Sequence, residues 1–295
     1  HRARPGTGYK PIDRKLTTEA AGARSEFYRG FLLPNNDPAS SSINEITRDE
    51  LMGSNAGFQL TELERQQSFW TQGGLAAIHS EGRNRNAIWD AMDRKEIYGT
   101  SGPRILLWFD EISGPELNPM GSSIKTSENP KFNVKAVGAF KQKDGCEDYA
   151  LDGLPAEKID TLCGGECYNP SSERLKITRI EVVKITPQKN KNENVDDLIQ
   201  DPWMVLPCDG ENGCEVNFED PDFIEQGRKS IYYVRAIQEP TETINGDALR
   251  CTFDSEGNCI DVNPCWGDYR VDSSDQCLSR EEHRAWSSPI YISKN

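Results

Sequence analysis

Between Gly73 and Asp110 the sequence GGLAAIHSEGRNRNAIWDAMDRKEIYGTSGPRILLWFD sets a strand pattern, a polar loop, a helix pattern and a second strand pattern end to end. Leu75–Ile78 is a short apolar run after paired glycines, which suits a buried strand, and His79–Arg83 is a polar loop leaving its C-terminal end. Ile88, Ala91 and Met92 fall on one helical face, Asn84 or Asn86 can cap the helix start, and Arg94 and Lys95 sit in the last turn, where cations suit the dipole. Ile97-Tyr98 resumes extended structure, Gly99–Gly102 reads as a turn, and Pro103 restricts Gly102 before the apolar run Ile105–Phe109. Strand, loop and helix in this order form the repeating unit of an α/β barrel, whose loops after the strands line the catalytic face. On that reading His79, Glu81 and Arg83 point toward a site; on the alternative, His79 hydrogen-bonds locally and Glu81 pairs with a surface arginine.

After Asp110 the period shortens to that of strands separated by turns. Phe132, Val134 and Ala136 alternate with Asn133 and Lys135, and Leu175–Ile185 carries a second apolar pattern whose register shift suggests a bulge. Trp203–Leu206, Val216–Phe218, Ile231–Ile237 and Pro289–Ile292 complete a set of about seven strands, the signature of an antiparallel sandwich of immunoglobulin or fibronectin type. The expected fold is therefore α+β: the C-terminal part of a barrel with an insertion over residues 1–103, then a β-sandwich with disulfide-rich loops over 104–295. Within the first part, Glu26–Leu33 reads as helical, PNNDPASSS at Pro34–Ser42 as a long loop, and Thr61–Glu64 as a capping box, with Phe69 and Trp70 as core candidates.

All nine cysteines follow residue 145. Cys208/Cys214, Cys251/Cys259 and Cys265/Cys277 form close pairs in polar loops where bridges can hold irregular chain; Cys146, Cys163 and Cys167 form a triplet with one member left over. CGGEC at Cys163–Cys167 could be half of a zinc site, but no second close cysteine pair at ribbon-like spacing and no nearby histidine completes it, so disulfides and a periplasmic or extracellular location are expected. The acidic loops at Asp254–Asn258 and Asp268–Asp275 lack the terminal bidentate Glu of a calcium hand, so they read as disulfide-held turns. A net charge of −14 argues against nucleic acid or an anionic membrane surface as a partner, and no apolar run is long enough to span a bilayer.

Serine-hydrolase elbows, phosphate loops and dinucleotide fingerprints are absent from the sequence. The segments GLAAIHSEGRNRNAIWDAMDRKEIYGTSGPRI and HRARPGTGYK, with YYVRAIQEP from Tyr232 and AWSSPIYI near the end, resemble the later half of a bacterial family known as domain of unknown function thirty-six-oh-four. That family is related to the PHP (polymerase and histidinol phosphatase) metallohydrolases, and more loosely resembles arylesterase and carbamate hydrolases on the same barrel. The resemblance implies that His1 closes an Asp-x-His metal motif whose other residues precede this chain. It also implies that zinc, manganese or iron activates water in a full-length parent. With the other ligands upstream, this piece alone is expected to be inactive.

The resemblance then places His79, Glu81, Arg83, Arg85 and Arg104 as substrate-binding or metal-supporting candidates, with Tyr98, Thr100 and Ser101 as possible hydrogen-bonding groups; Arg2, Arg4 and Lys10 could attract an anion or form a solvated basic turn. The expected function is thus the C-terminal part of a secreted hydrolase of small phosphoesters or other esters. The alternative is a non-catalytic, disulfide-stabilised binding or scaffolding module. Alkylation without prior reduction should label at most one of the nine cysteines; labelling of all nine would exclude an oxidising compartment.

Overall fold

The computed structural model describes residues 74–143, 146–153, 168–211, 213–244, 246, 250–257, 259–262 and 278–295. The chain divides into two compact units, one of residues 1–73, 142–169 and 240–281, the other of residues 74–141, 170–239 and 282–295.

The second unit opens with β1 (Leu75–Ile78), α1 (Arg85–Asp93) and β2 (Ile97–Thr100). Asn84 caps α1, its side chain accepting a hydrogen bond from the Ala87 amide at 2.9 Å. At the other end the Lys95 amide donates to Met92 O and the Glu96 amide to Ala91 O, a reciprocal closure that places Lys95 in the left-handed region at φ 62°. Glycine is the usual residue there, so the turn is held despite its side chain. Gly121, at φ 94°, meets this turn: a Cβ on it would lie 2.5 Å from Arg94 O.

The chain continues through β3 (Leu106–Glu111), β4 (Asn118–Pro119), β5 (Ser123–Thr126), β6 (Lys131–Val137) and β7 (Phe140–Gln142). After α2 (Asp148–Gly153) come β8 (Pro170–Arg174), β9 (Ile177–Ile185), β10 (Ile199–Pro207), β11 (Cys214–Glu219), the short α3 (Phe223–Gln226) and β12 (Ser230–Gln238). The remaining strands are β13 (Thr241–Ile244), β14 (Cys251–Phe253), β15 (Cys259–Val262), β16 (Leu278–Glu281), β17 (Arg284–Ser287) and β18 (Ile290–Lys294).

Two sheets carry the second unit. An eight-stranded sheet runs β1-β2-β17-β12-β18-β5, with β9 on β12 and β10 on β9; a four-stranded sheet runs β11-β6-β3-β4. Strands β17 and β18 follow one another along one side of β12, and Ser287 Oγ between them accepts from the Val234 amide at 3.0 Å. That side chain gives the Val234 amide an acceptor between the stretch of β12 paired with β17 and the stretch paired with β18.

The sheets share one core. Phe109 and Phe132 stack at 5.5 Å and Phe132 and Phe218 at 4.9 Å within the smaller sheet, while Tyr232 of β12 meets Phe132 at 4.8 Å and Trp203 of β10 sits edge-on to Phe218 at 6.2 Å. Leu107, Val134, Ala136, Ile180, Val182 and Val234 fill in around the rings. Inside this apolar layer lies one ion pair. Lys184 Nζ, 2% exposed, is 2.6 Å from Asp220 Oδ2, itself fully buried, and the Tyr232 hydroxyl donates to the same oxygen at 2.5 Å. Lys184 also donates to Gln226 Oε1 at 3.1 Å and lies over the Trp203 ring, while the Asp222 amide donates to Asp220 Oδ1.

The first unit's described residues include α2, a β13–β16 pair and a β14–β15 hairpin closed by a Cys251–Cys259 disulfide. A Cys208–Cys214 disulfide joins the end of β10 to the start of β11 in the second unit, and Cys146 is also disulfide-bonded. The two close pairs fall as the spacing predicts. Cys163, Cys167, Cys265 and Cys277 lie outside the described residues, as do Glu26–Leu33, Pro34–Ser42, Thr61–Glu64, Phe69, Trp70 and Asp268–Asp275. In Asp254–Gly257 the Glu256 amide donates to Asp254 Oδ1 and the Gly257 amide to Asp254 O, a self-bonded turn inside the disulfide loop.

The β-rich, disulfide-bearing α+β class agrees with the sequence reading, and three details correct it. In a barrel the helix carries the chain back so that successive strands run parallel; here Ile78 lies opposite Ile97 and β1 pairs antiparallel with β2, because the chain returns at the end it left. Gly99 and Thr100, expected in a turn, are the last residues of β2, which pairs with β17 in the large sheet. The sandwich also has one parallel pair, β18 with β5.

Truncating one partner of a buried ion pair leaves the other charge stranded. Lys184→Met should lower the unfolding free energy by about 3–5 kcal/mol, read from urea midpoints, and Lys184→Met with Asp220→Leu should recover part of it; a single variant as stable as the parent would refute the role of this pair.

Candidate functional site

The site that the sequence nominates lies where β1 runs into its loop. The His79 amide donates to Glu96 O at 2.9 Å, extending the β1–β2 ladder by one bond and fixing the backbone. Its imidazole Nε2 then donates to Leu107 O at 2.8 Å, and since a carbonyl can only accept, that nitrogen carries the proton. Tyr98 and Trp108 flank the ring at 5.4 and 5.6 Å, so His79 forms a clip between β1 and β3 with one ring nitrogen committed.

Beyond it the loop closes on itself: Ser80 Oγ donates to Gly82 O at 2.7 Å. Glu81, Arg83 and Arg85 are exposed. Arg94 pairs with Glu96 at 2.6 Å, and that bond, with Glu81 and Asp90 adding negative charge nearby, strengthens its hold on the proton.

Two carboxyls that the sequence reading passed over belong here. Asp110 lies two residues beyond Trp108, on the same face of β3, while Leu107, Phe109 and Glu111 point into the core. Burial raises the Asp110 pKa above the usual carboxylate range, Glu96 adds to the rise, and His79 opposes it. His79, Glu96 and Asp110 thus form an electrostatically coupled, half-buried cluster at the mouth of the loop. The signal in the sequence was the alternation in Leu106–Glu111, which puts Trp108 and Asp110 together opposite the core-facing residues.

Three of the remaining candidates, Tyr98, Thr100 and Ser101, are bonded internally. Tyr98 donates to Ile105 O at 3.1 Å, and burial raises its pKa. Thr100 Oγ1 accepts from the Gly102 amide at 3.3 Å. Ser101 Oγ accepts from the Arg284 amide at 3.0 Å and contacts His283 Nδ1 at 3.0 Å. Arg104 is exposed on the β2–β3 connection. His1, Arg2, Arg4 and Lys10 lie outside the described residues.

His283, by contrast, is a fully buried imidazole, 2% exposed, next to Glu282, whose carboxylate makes paired bonds of 2.8 and 2.7 Å to Arg179. Burial, with Arg284 adding to it, pushes the His283 pKa down to about 4.

Among the described residues no group of three or more His, Cys, Asp or Glu side chains is arranged to hold a metal ion, and no helix is long and apolar enough to cross a membrane. The described residues do not by themselves fit the metal centre that the family resemblance implies. Residues 28–144, less than half of the chain, match the model of a family described as "Protein of unknown function (DUF3604)". Neither the curated proteins nor the solved structures gave a match.

A histidine whose folded pKa lies below its unfolded value costs stability when the unfolded chain takes up the proton first. Stability should therefore fall as pH drops from about 6.5 toward about 4, by up to roughly 1.4 kcal/mol per pH unit for this group. Urea midpoints against pH should be flatter through that window in His283→Gln, and identical slopes would exclude His283 as the source.

Proposed function

We propose that this chain is the C-terminal part of a metal-dependent hydrolase acting on a phosphoester or another ester. Its second unit serves as the support that fixes the loop at residues 79–83. The observation that carries this reading is the His79 clip, because the loop is bonded through its first residue both to Glu96, just before β2, and to Leu107 of β3. A loop held in this way presents Glu81, Arg83 and Arg85 from a rigid base, as a substrate-contacting segment requires. The family match over residues 28–144 takes in the first of this unit's three segments, the loop at residues 79–83 included, together with the chain just before it, which supports reading that loop as part of the family domain.

Zinc, manganese or iron would supply the activated water, and His1 is the residue of this chain that the resemblance assigns to a metal. The remaining ligands are proposed to come from outside the described residues. The contribution of Glu81, Arg83 and Arg85 is to meet and orient an anionic substrate, while Asp110 and Glu96 hold charge beside the clip. The disulfides accord with a periplasmic or extracellular setting.

A second reading is a non-catalytic, disulfide-stabilised binding or scaffolding module. What favours it is that Tyr98, Thr100, Ser101 and His79 are each engaged in internal bonds.

The full-length parent, purified with manganese or zinc, should contain stoichiometric metal by elemental analysis and hydrolyse some member of a panel of phosphate, carboxylate and carbamate esters. Arg83→Ala with Arg85→Ala should raise KM for an anionic ester about tenfold or more, with kcat little changed. Absence of both metal and turnover would leave the binding module.

A further inference from the structure

A nucleophilic amine and a carboxyl group face each other inside the second unit, out of reach of solvent. Lys184 of β9 lies opposite Tyr232 of β12 in the strand register, Asp220 directly follows β11, and all three side chains belong to residues 2% exposed or less. Lys184 Nζ is 2.6 Å from Asp220 Oδ2, and Trp203 lies over the ammonium and packs on Tyr232. The other lysine–carboxylate pairs among the described residues differ in kind. Lys131–Glu219, Lys135–Glu215, Lys141–Glu173 and Lys176–Glu211 each have both side chains 45% or more exposed, so water solvates those ions.

We infer that Lys184 and Asp220 are the two halves of an intramolecular amide cross-link, formed by loss of one water and joining β9 to the end of β11. The cross-link needs an amine held against a carboxyl carbon, a donor for the developing oxyanion and a proton relay to the leaving oxygen. Each is in place. The strands fix the amine and the carboxyl in contact, which replaces a bimolecular encounter by a positioned one. The Asp222 amide donates to Oδ1 at 3.2 Å, where the oxyanion develops, and the Tyr232 hydroxyl donates to Oδ2 at 2.5 Å, the oxygen that leaves. Gln226 Oε1 accepts from Nζ at 3.1 Å and holds the amine in line. The usual competitor is closed off as well. An aspartyl group can be attacked by the amide nitrogen of the next residue, but here that residue is Pro221, whose nitrogen carries no hydrogen.

The step balances within these residues. Separated charges are costly away from water, and passing one proton from Nζ to Oδ2 leaves a neutral amine and a carboxylic acid. The Nζ lone pair then forms the bond to Cγ, and the C=O pair moves onto Oδ1. Tyr232 gives its proton to the Oδ2 hydroxyl and takes one from Nζ, so the phenol is regenerated. The oxyanion pair returns to Cγ, the Cγ–Oδ2 bond breaks and water departs, with no change of oxidation state. The inference does not rest on the hydrolase reading, since it concerns only the second unit's own core.

The test is the intact mass of the full chain after denaturation and disulfide reduction, followed by peptide mapping. The chain should be lighter than its sequence by the mass of one water, and proteolysis should release a branched peptide containing Lys184 and Asp220. Fragmentation of that peptide places the bond without reliance on any variant's fold. Lys184→Arg and Asp220→Ala should each restore the full mass. Tyr232→Phe, shown to be folded by a cooperative urea transition, should leave part of the chain unlinked. A folded parent at its full sequence mass, a deficit that persists in Lys184→Arg, or a branch at any other pair of residues would each overturn the proposal.

Discussion

The ion pair between Lys184 and Asp220 sets the terms for the second unit. It lies between two sheets whose facing surfaces are otherwise phenylalanine, isoleucine, valine and leucine, and it is reached by Tyr232 from β12 and by Gln226 from the short helix α3. A charge pair at such depth is stable only where every polar atom finds a partner. Asp220 receives an ammonium, a phenol and a backbone amide; Lys184 gives to a carboxylate and an amide and rests over an indole. Burial, reinforced by Asp220, keeps the Tyr232 hydroxyl protonated far above its ordinary range. Because the partners come from both sheets, the sheets have one relative register in which these groups meet, which an aliphatic core alone would define less sharply.

Much of the local structure was legible from the sequence, and the reasons are physical. Leu75–Ile78, the Asn84 cap and the alternation in Phe132–Ala136 depend on neighbours a few residues away, and each appears where the periodicity places it. The cysteine pairs Cys208/Cys214 and Cys251/Cys259 are close enough in sequence that loop closure leaves little choice. Pairing between distant strands was not legible. Strands β5 and β17 are each four residues long and rich in Ser, Thr, Lys or Arg, so they carry no apolar pattern to identify them, and only the first half of β2, Ile97-Tyr98, does. Lys184 reads as a surface residue in VVKI, and only the fold shows that Asp220 waits for it. The direction of the β1–β2 pair was equally hidden, because a helix between two strands normally signals a parallel crossover.

For the candidate site the sequence located the segment but assigned its roles too simply. His79 is at the expected strand end, yet one nitrogen is bound to Leu107, and its electrostatic partners Glu96 and Asp110 come from beyond the helix and from β3. The group draws on the residue after β1, the residue before β2 and one residue of β3, and no single stretch announces it. The exposed Arg83 and Arg85 keep the freedom that a contact to another molecule needs, whereas the buried His283 is tied into a bond with Ser101 and beside a bidentate Arg179–Glu282 pair.

The placement of β17 and β18 bears on how this molecule comes to be made. Residues 284–294 fill the middle of the large sheet, with β2 on one flank, β5 on another and β12 shared between them. A nascent chain that has emerged only as far as β16 holds β2, β5 and β12 as separate ribbons with raw ladder edges, and no local pairing can join them. Assembly must await the synthesis of those eleven residues, a long-range closure of the slow kind. During that wait the open edges of β2, β5 and β12 are templates for other chains, so the large sheet is exposed to mispairing until these two strands are in place.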